Sequence, residues 1–383
     1  MMQSSDSILL TGATGFIGSN LALHLLLTTP AQIVCLVRAP NSQARLLQAV
    51  CDAARAAAVD GQILPRLGRL TAVAADLNQP GLGLGTAEWR QLQAAGISQL
   101  WHCAASLRFE PRHRAKIFEC NVMGTRRVID LAAQLSIPQV NAMSTAYVAG
   151  TQTGWIPEQT VDRRYDPNND YEASKRDAED QLLRAQQQGW FHVKIFRPSI
   201  VIGNATTFDS TSNSGLYGFV TAVEQLHHQL VLKGHGAQPQ PLRVYTPAGT
   251  GSGLNLMPVD RLAQEAIALA QSPPSSQIIY HLSNPFPVSL DLLRQALSPL
   301  YPTLDLQGVR HLEDLQPLDR QFHRRLRFYH PYLQANKQFE RRRDRQPRED
   351  LRLTRSQLER YLQRYVERLR CQRQRTLDYT PAL

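Results

Sequence analysis

Cysteine is scarce in this chain: five residues in 383, at positions 35, 51, 103, 120 and 371, with no CxxC pair and no regular spacing. That excludes a disulfide scaffold and points to a reducing compartment. No stretch reaches about 18 uninterrupted apolar residues, so a membrane-spanning helix is not expected. The N-terminus has neither the basic flank, the apolar run nor the small-residue cleavage site of a secretory signal. Internal repeats and long low-complexity segments are missing as well. With 43% hydrophobic and 19% charged residues, a disordered or collagen-like chain is excluded. At roughly 150 residues per domain the length suits two or three units.

Acidic residues are few relative to basic ones, giving a formal net charge of +10, and the excess is not spread evenly. Residues 1–309 carry 23 Lys and Arg against 22 Asp and Glu, whereas residues 310–383 carry 19 against 10. The body is neutral and the last fifth is basic, so an anionic partner is expected to meet the C-terminal part. A solvated amphipathic helix is the plainer reading of the same arginines.

The first 200 residues alternate short apolar runs with longer amphipathic ones. The runs are Ser7–Leu10, Ile33–Val37, Leu70–Ala75, Leu100–His102, Val140–Met143 and Val193–Phe196. Helical patterns lie between them at Ile17–Leu27, Gln43–Ala58, Arg114–Gln134 and Tyr171–Gln188. Such alternation predicts an α/β fold with a Rossmann-type, doubly wound parallel sheet covered on both faces. After Gly203 the pattern breaks. Residues 204–215 read as a polar loop, Gly234–Pro241 as another, Ile278–Leu282 as one more strand and Pro299–Pro317 as loop-rich. In the basic tail Leu358, Tyr361, Leu362, Tyr365, Val366 and Leu369 recur at helical spacing. Thr354 and Gln357 form a capping box at its start, and Arg360, Arg364 and Arg368 line one flank. The expected units are a cofactor domain at 1–203 with a returning segment at about 244–285, a substrate region at 204–243 and 286–309, and a basic helical region at 310–383. Together the last two make a smaller, mainly helical part.

Ser7–Leu10 runs into Thr11-Gly12-Ala13-Thr14-Gly15-Phe16-Ile17-Gly18, which enters a helix. Glycine allows a tight turn and a close approach to a pyrophosphate, and the helix N-terminus supplies amide donors. Between a strand and a helix, GxxGxxG is where a dinucleotide loop needs it, with Thr14, Phe16 and Ile17 in the same turn. In an NAD site an acidic residue about 20 positions on would bind the ribose 2′-hydroxyl. Here that place is taken by Arg38, whose guanidinium suits a 2′-phosphate, so NADPH is the expected cofactor. Arg45 is a second phosphate ligand or a solvated helix residue. Asp76, with Leu77 beside it, accepts from the adenine amine or caps the following turn.

Tyr171 and Lys175 are spaced YxxxK on a predicted helix, one turn apart on one face. Thr145 ends the preceding strand. Hydride transfer to a carbonyl develops negative charge on oxygen; a phenol can protonate it, a second hydroxyl can hold it, and an ammonium lowers the phenol pKa from about 10. Other candidates have plainer readings. Adjacent His227 and His228 diverge on a helix and make a poor metal pair, so no metal site is expected. Cys103 reads as a small buried hydrophobe, since nothing nearby in sequence activates it. Tyr217, Phe219 and Val223 serve equally as acyl-channel lining or core.

The segments TGATGFIGSNL (11–21), LVRA (36–39), WHCAASLRF (101–109), NVMGT (121–125), MSTAYVAG (143–150), YEASK (171–175), RPSIVIG (197–203) and NLMPVDRLA (255–263) resemble those of the extended short-chain dehydrogenase/reductases. Within them the chain is similar to the fatty acyl-CoA reductases and the male-sterility-type thioester reductases, over residues 8 to about 285. The resemblance implies roles. Gly12, Gly15 and Gly18 cradle the pyrophosphate, Arg38 reads the 2′-phosphate, and Ala104 and Ala105 flank the cofactor. Thr145, Tyr171 and Lys175 form the catalytic set, with Lys175 also on the nicotinamide ribose. Pro198 and Val201 border the nicotinamide. Asn121 matches a family helix asparagine, though its plain reading is a buried amide satisfied by backbone. Ser144 is a substitute for Thr145.

The implied activity is NADPH-dependent reduction of an acyl-CoA or acyl-carrier-protein thioester to an aldehyde and, by a second hydride, an alcohol. Two alternatives remain: an extended dehydrogenase of a sterol or nucleotide sugar, and a non-catalytic NADP-binding interaction protein. Acidic thioester carriers would suit the basic tail, as would a membrane surface; nucleic acid is not an expected partner. The expected location is cytoplasmic, with peripheral membrane contact as the second option.

Overall fold

The computed structural model describes residues 6–232, 242–247, 253–273, 276–309, 329–334, 336–342 and 349–378. The first half alternates as expected: β1 (Ser7–Thr11), α1 (Phe16–Thr28), β2 (Gln32–Val37), α2 (Ser42–Ala56), α3 (Asp60–Ile63), β3 (Leu70–Ala74), α4 (Thr86–Ala94), β4 (Ile97–His102), α5 (Arg114–Phe118), α6 (Gly124–Gln134) and β5 (Gln139–Met143). Then come β6 (Gly154–Ile156), α7 (Asp170–Gln187), β7 (His192–Pro198) and β8 (Ile200–Ile202). The remainder holds α8 (Leu216–Leu232), β9 (Leu242–Pro247), β10 (Gly253–Leu254), β11 (Leu256–Pro258), α9 (Val259–Gln271), β12 (Ile279–Leu282), β13 (Val288–Ser289), α10 (Leu290–Leu297) and β14 (Leu304–Val309). A short helix His330–Gln334, β15 (Lys337–Phe339) and a long helix Arg355–Asp378 follow.

Seven strands form one sheet in the order β12-β7-β5-β4-β1-β2-β3, each neighbouring pair parallel. Helices cover both faces, so the strands are apolar on both sides. In β1, Ile8 and Leu10 join one core with α1, α2 and α9. Leu9, pointing the other way, joins the second core with α6 and α7. The strand order reverses between β1 and β4, which opens a crevice at their carboxyl ends. The single helix expected at Arg114–Gln134 is α5 and α6 joined by a π-helical turn, Glu119–Met123.

A second lobe is built around α8, α10 and the C-terminal helix, which share a third core. The apolar stripe Leu358, Tyr361, Leu362, Tyr365 and Val366 is buried there, the i, i+3, i+4, i+7, i+8 pattern of an amphipathic helix. Tyr365 stacks on Tyr217 at 4.6 Å, and Tyr361 meets Phe208 edge-on at 4.9 Å. The capping box forms: Thr354 N donates to Gln357 Oε1 at 2.9 Å, and Gln357 N to Thr354 Oγ1 at 3.3 Å. Within the stretch read as loop-rich, residues 304–309 are instead a strand, β14, parallel to β9; its residues 310–317, and Gly234–Pro241, lie outside the described residues. Residues 204–215 form an irregular loop. Among the described residues no helix is long and apolar enough to cross a membrane.

Candidate active site

The turn from β1 to α1 admits only glycine at two points. Gly12 has φ +77°, and a Cβ on it would lie 2.5 Å from Ala104 N. A Cβ on Gly18 would lie 2.1 Å from Gly12 O. Gly15 N donates to Gly12 O at 2.9 Å and closes the turn. Gly15 is also the N-cap of α1 and brings no capping side chain; the first turn contains no acidic residue. The leading amides of α1 thus face the crevice with the helix dipole behind them, which fits a pyrophosphate.

A single cavity of about 1810 Å³ starts at this turn and runs into the second lobe. Its first part is walled by Gly12, Thr14, Gly15, Phe16, Ile17 and Gly18. Arg38 lines it after β2, Arg45 from the first turn of α2, Asp76 and Leu77 after β3, and Ala104 and Ala105 after β4. Arg45 donates to the Arg38 carbonyl at 2.7 Å. Asp76 Oδ1 accepts from Asn78 N and Nδ2, both at 3.0 Å, so it caps its own turn while bordering the cavity. Thr145, Tyr171, Pro198 and Val201 line the next part. Phe219, Leu254 and Leu333 make the wall beyond, whereas Tyr217 accepts from Gly203 N at 2.8 Å and packs in the core with Val223.

Lys175 and Asn121 stand behind this wall rather than on it. Lys175 is buried one turn along α7, and its Nζ donates to Met143 O at 2.7 Å. Burial pulls the amine down from its ordinary value, partly offset by the Glu179 carboxylate. Burial pushes the Tyr171 phenol up, and the Glu172 carboxylate adds to that. The lowering of the phenol that the YxxxK spacing suggests is not found here; Nζ is engaged by Met143 O instead. Ser144 lines the cavity beside Thr145, and its hydroxyl donates to Glu179 Oε1 at 2.5 Å. Glu179 in turn holds Arg197 in a buried bidentate pair at 3.0 and 2.7 Å. Thr145 Oγ1 accepts from Tyr147 N at 3.2 Å and caps the turn Ala146–Ala149.

Asn121 sits in the π turn, with its amide fully used: Oδ1 accepts from Ser106 N at 2.7 Å, and Nδ2 donates to Ser106 O and Ser174 Oγ at 3.1 and 2.9 Å. A buried histidine that the sequence reading passed over extends this network. Thr125 Oγ1 spends its proton on Asn121 O at 2.6 Å, so it accepts from His102 Nε2 at 3.0 Å. His102 Nδ1 then accepts from Thr11 Oγ1 at 2.8 Å, a neutral Nε2–H tautomer fixed by its neighbours. Burial drives this imidazole down to about 3. The Cys103 thiol, on the cavity wall, is pushed up to about 12 by burial, opposite to an activated nucleophile. Among the described residues no group of three or more His, Cys, Asp or Glu side chains could hold a metal ion. Glu172 and Tyr332, which bond at 2.7 Å beside Tyr171, also escaped the sequence reading; they are 160 positions apart, and no local signal joins them.

A parallel sheet that reverses order at a glycine-lined crevice defines the class: a Rossmann-type dinucleotide-binding domain. A family model described as male sterility protein, an NAD-binding domain, matches residues 10–266, and the chain belongs to that family. It is 30% identical over 302 residues to isonitrile lipopeptide synthase of Streptomyces coeruleorubidus, covering 74% of this chain and 18% of the synthase. It is also 30% identical over 148 residues to fatty acyl-CoA reductase 2 of Homo sapiens, covering 37% of this chain and 28% of that protein. The chain therefore matches under a third of either relative's length. The terminal R domain from the myxalamid PKS-NRPS biosynthetic pathway superposes with a TM-score of 0.73 at 23% identity, over 96% of this chain and 92% of that one; this likeness speaks to fold alone.

Proposed function

We propose that the protein is an NADPH-dependent reductase of acyl thioesters carried on coenzyme A or a carrier protein. The observation that carries the reading is the cavity's continuity, from the glycine turn past Tyr171 and Thr145 to an apolar end at Phe219, Leu254 and Leu333. A relative named fatty acyl-CoA reductase supports an acyl-CoA thioester as substrate, and a relative named isonitrile lipopeptide synthase supports an acyl group held on a synthase. Arg38, standing on the cavity wall after β2, favours the 2′-phosphate of NADPH over the bare hydroxyl of NADH. In this reading residues 1–203 and about 244–285 hold the cofactor, and 204–243 with 286–309 hold the acyl group.

When bound, the reduced nicotinamide supplies a hydride to the thioester carbonyl. The hydroxyls of Thr145 and Tyr171 hold the carbonyl oxygen as charge develops on it. Tyr171, kept protonated by its buried setting, gives that oxygen its proton. Lys175 keeps positive charge behind the phenol. The hemithioacetal collapses to a thiol and an aldehyde, and a second passage through the same site yields an alcohol. Glycine at 12 and 18 lets the chain approach the pyrophosphate, and Pro198 and Val201 shield the reacting carbon from water.

The test is product analysis with NADPH and a panel of acyl-CoA and acyl-carrier thioesters. One thiol released per NADPH marks the aldehyde, and one per two marks the alcohol. NADPH consumption without thiol release would sink the proposal.

A further inference from the structure

The short helix His330–Gln334 and the strand β15 lie beyond the residues matched by the family model, yet the helix reaches the first turn of α7 through Tyr332. Tyr332 Oη donates to Glu172 Oε1 at 2.7 Å and accepts from Asn169 Nδ2 at 3.0 Å. Asn169 caps α7, its side chain accepting from Glu172 N at 3.0 Å. Glu172 is fully buried, and its Oε2 accepts from Asn168 N and Nδ2 at 2.7 and 3.0 Å. One hydroxyl thus touches both the cap of α7 and the residue next to Tyr171. The Tyr332 ring meets Tyr147 edge-on at 4.8 Å and lines the cavity that Tyr171 also lines. Its segment is held on the cofactor domain at three further points. Lys337 Nζ donates to Gly150 O at 2.6 Å, Glu340 accepts from Glu158 N at 2.8 Å, and β15 pairs with β6.

Burying a carboxylate is costly unless its oxygens are matched by donors. Asn168 supplies them for Oε2, and Tyr332 supplies one for Oε1. Removing that hydroxyl leaves a buried charge short of a donor at the first turn of the helix that aims Tyr171. A small tilt of the phenol matters, since proton transfer depends on geometry before it depends on acidity.

We propose that Tyr332 is a positioning residue for Tyr171: its hydroxyl fixes the first turn of α7 through Glu172 and Asn169, and its ring completes the cavity wall. The inference rests on Tyr171 being the proton donor. The full chain carrying Tyr332→Phe keeps the ring and loses the hydroxyl. Its kcat with NADPH and an acyl thioester falls about tenfold, KM for both substrates stays within about twofold, and amide exchange at residues 170–174 speeds up about tenfold. Glu172→Gln lowers kcat similarly, and the double variant falls no further than the deeper single one, as expected of a shared path. Unchanged exchange at 170–174 overturns the proposal, and so does an unchanged kcat alongside faster exchange. A lower melting temperature with kcat per folded molecule intact would mark Tyr332 as merely structural and overturn it too. If Tyr171→Phe retains turnover, or if the wild type turns over no thioester, the reading of the active site has failed, and exchange alone then decides whether Tyr332 holds the turn.

Discussion

Arg368, in the basic C-terminal helix, donates to the carbonyl of Ser212 at 2.7 Å, and Ser212 lies on the cavity wall. Among the described residues, Arg360, Arg368 and Arg370 of this helix are folded onto the second lobe. Arg360 stacks over Phe208 at 4.1 Å, and Arg370 makes a bidentate pair with the buried Glu224 at 3.1 and 3.0 Å. Charge counting marks this stretch as a surface for an anionic partner, whereas its packing makes the C-terminal helix part of the second lobe.

That packing predicts how the tail responds to substitution. Leu362 is fully buried in the shared core, while Arg364, two residues on, is exposed. Leu362→Ala should lower stability by about 2–5 kcal/mol, and Arg364→Ala should stay within about 0.5 kcal/mol of the wild type. Urea unfolding of the full chain checks both. Equal, small losses would mean that the helix is not part of the core.

Tyr171→Phe removes the proposed proton donor and leaves the ring on the cavity wall. Turnover should fall by about 10²–10⁴-fold, the usual contribution of a positioned acid, while the affinity for NADPH changes little. Stopped-flow turnover together with fluorescence titration of the cofactor separates the two. Retained turnover would remove Tyr171 from its role.

How much of this was legible beforehand follows from the range of each interaction. The β1 turn was readable because Gly18 must clear Gly12 O six residues back and Gly12 takes a positive φ in the same turn. The capping box at Thr354 and Gln357 was readable because both partners lie within one turn. The π turn at Glu119–Met123 was not, since the periodicity of Arg114–Gln134 continues through it. The contact between Tyr332 and Glu172 had no local trace, because only the folded chain brings the second lobe onto α7. The +10 charge is silent on such contacts, since composition counts Arg368 and Arg370 but not the carbonyl and carboxylate they meet.

Arg38 should decide the choice of cofactor. It stands on the cavity wall where an acid would bind the 2′-hydroxyl of NAD. A charge-assisted bond to a phosphate is worth about 1.5–3 kcal/mol, so Arg38→Ala should reduce the preference for NADPH over NADH by about ten- to a hundredfold. Equilibrium titration with each dinucleotide measures this directly. A preference that survives intact would move the phosphate site to Arg45.

His102 gives stability a pH dependence whose sign follows from its burial. In the unfolded chain an imidazole titrates near 6.5; in the fold it is held down to about 3. Its Nδ1 already accepts from Thr11, and its Nε2 already donates to Thr125, so a second proton finds no acceptor. Between those two values the unfolded state binds a proton that the folded state refuses. The contribution is therefore fully present above about pH 6.5 and is lost as pH falls, at up to about 1.4 kcal/mol per pH unit. Urea midpoints measured from pH 7 down to pH 4 should fall more steeply for the wild type than for His102→Gln, with the difference in slope approaching one proton. Parallel slopes would mean that the ring is protonated in the fold, and the tautomer fixed by Thr11 and Thr125 would have to be abandoned.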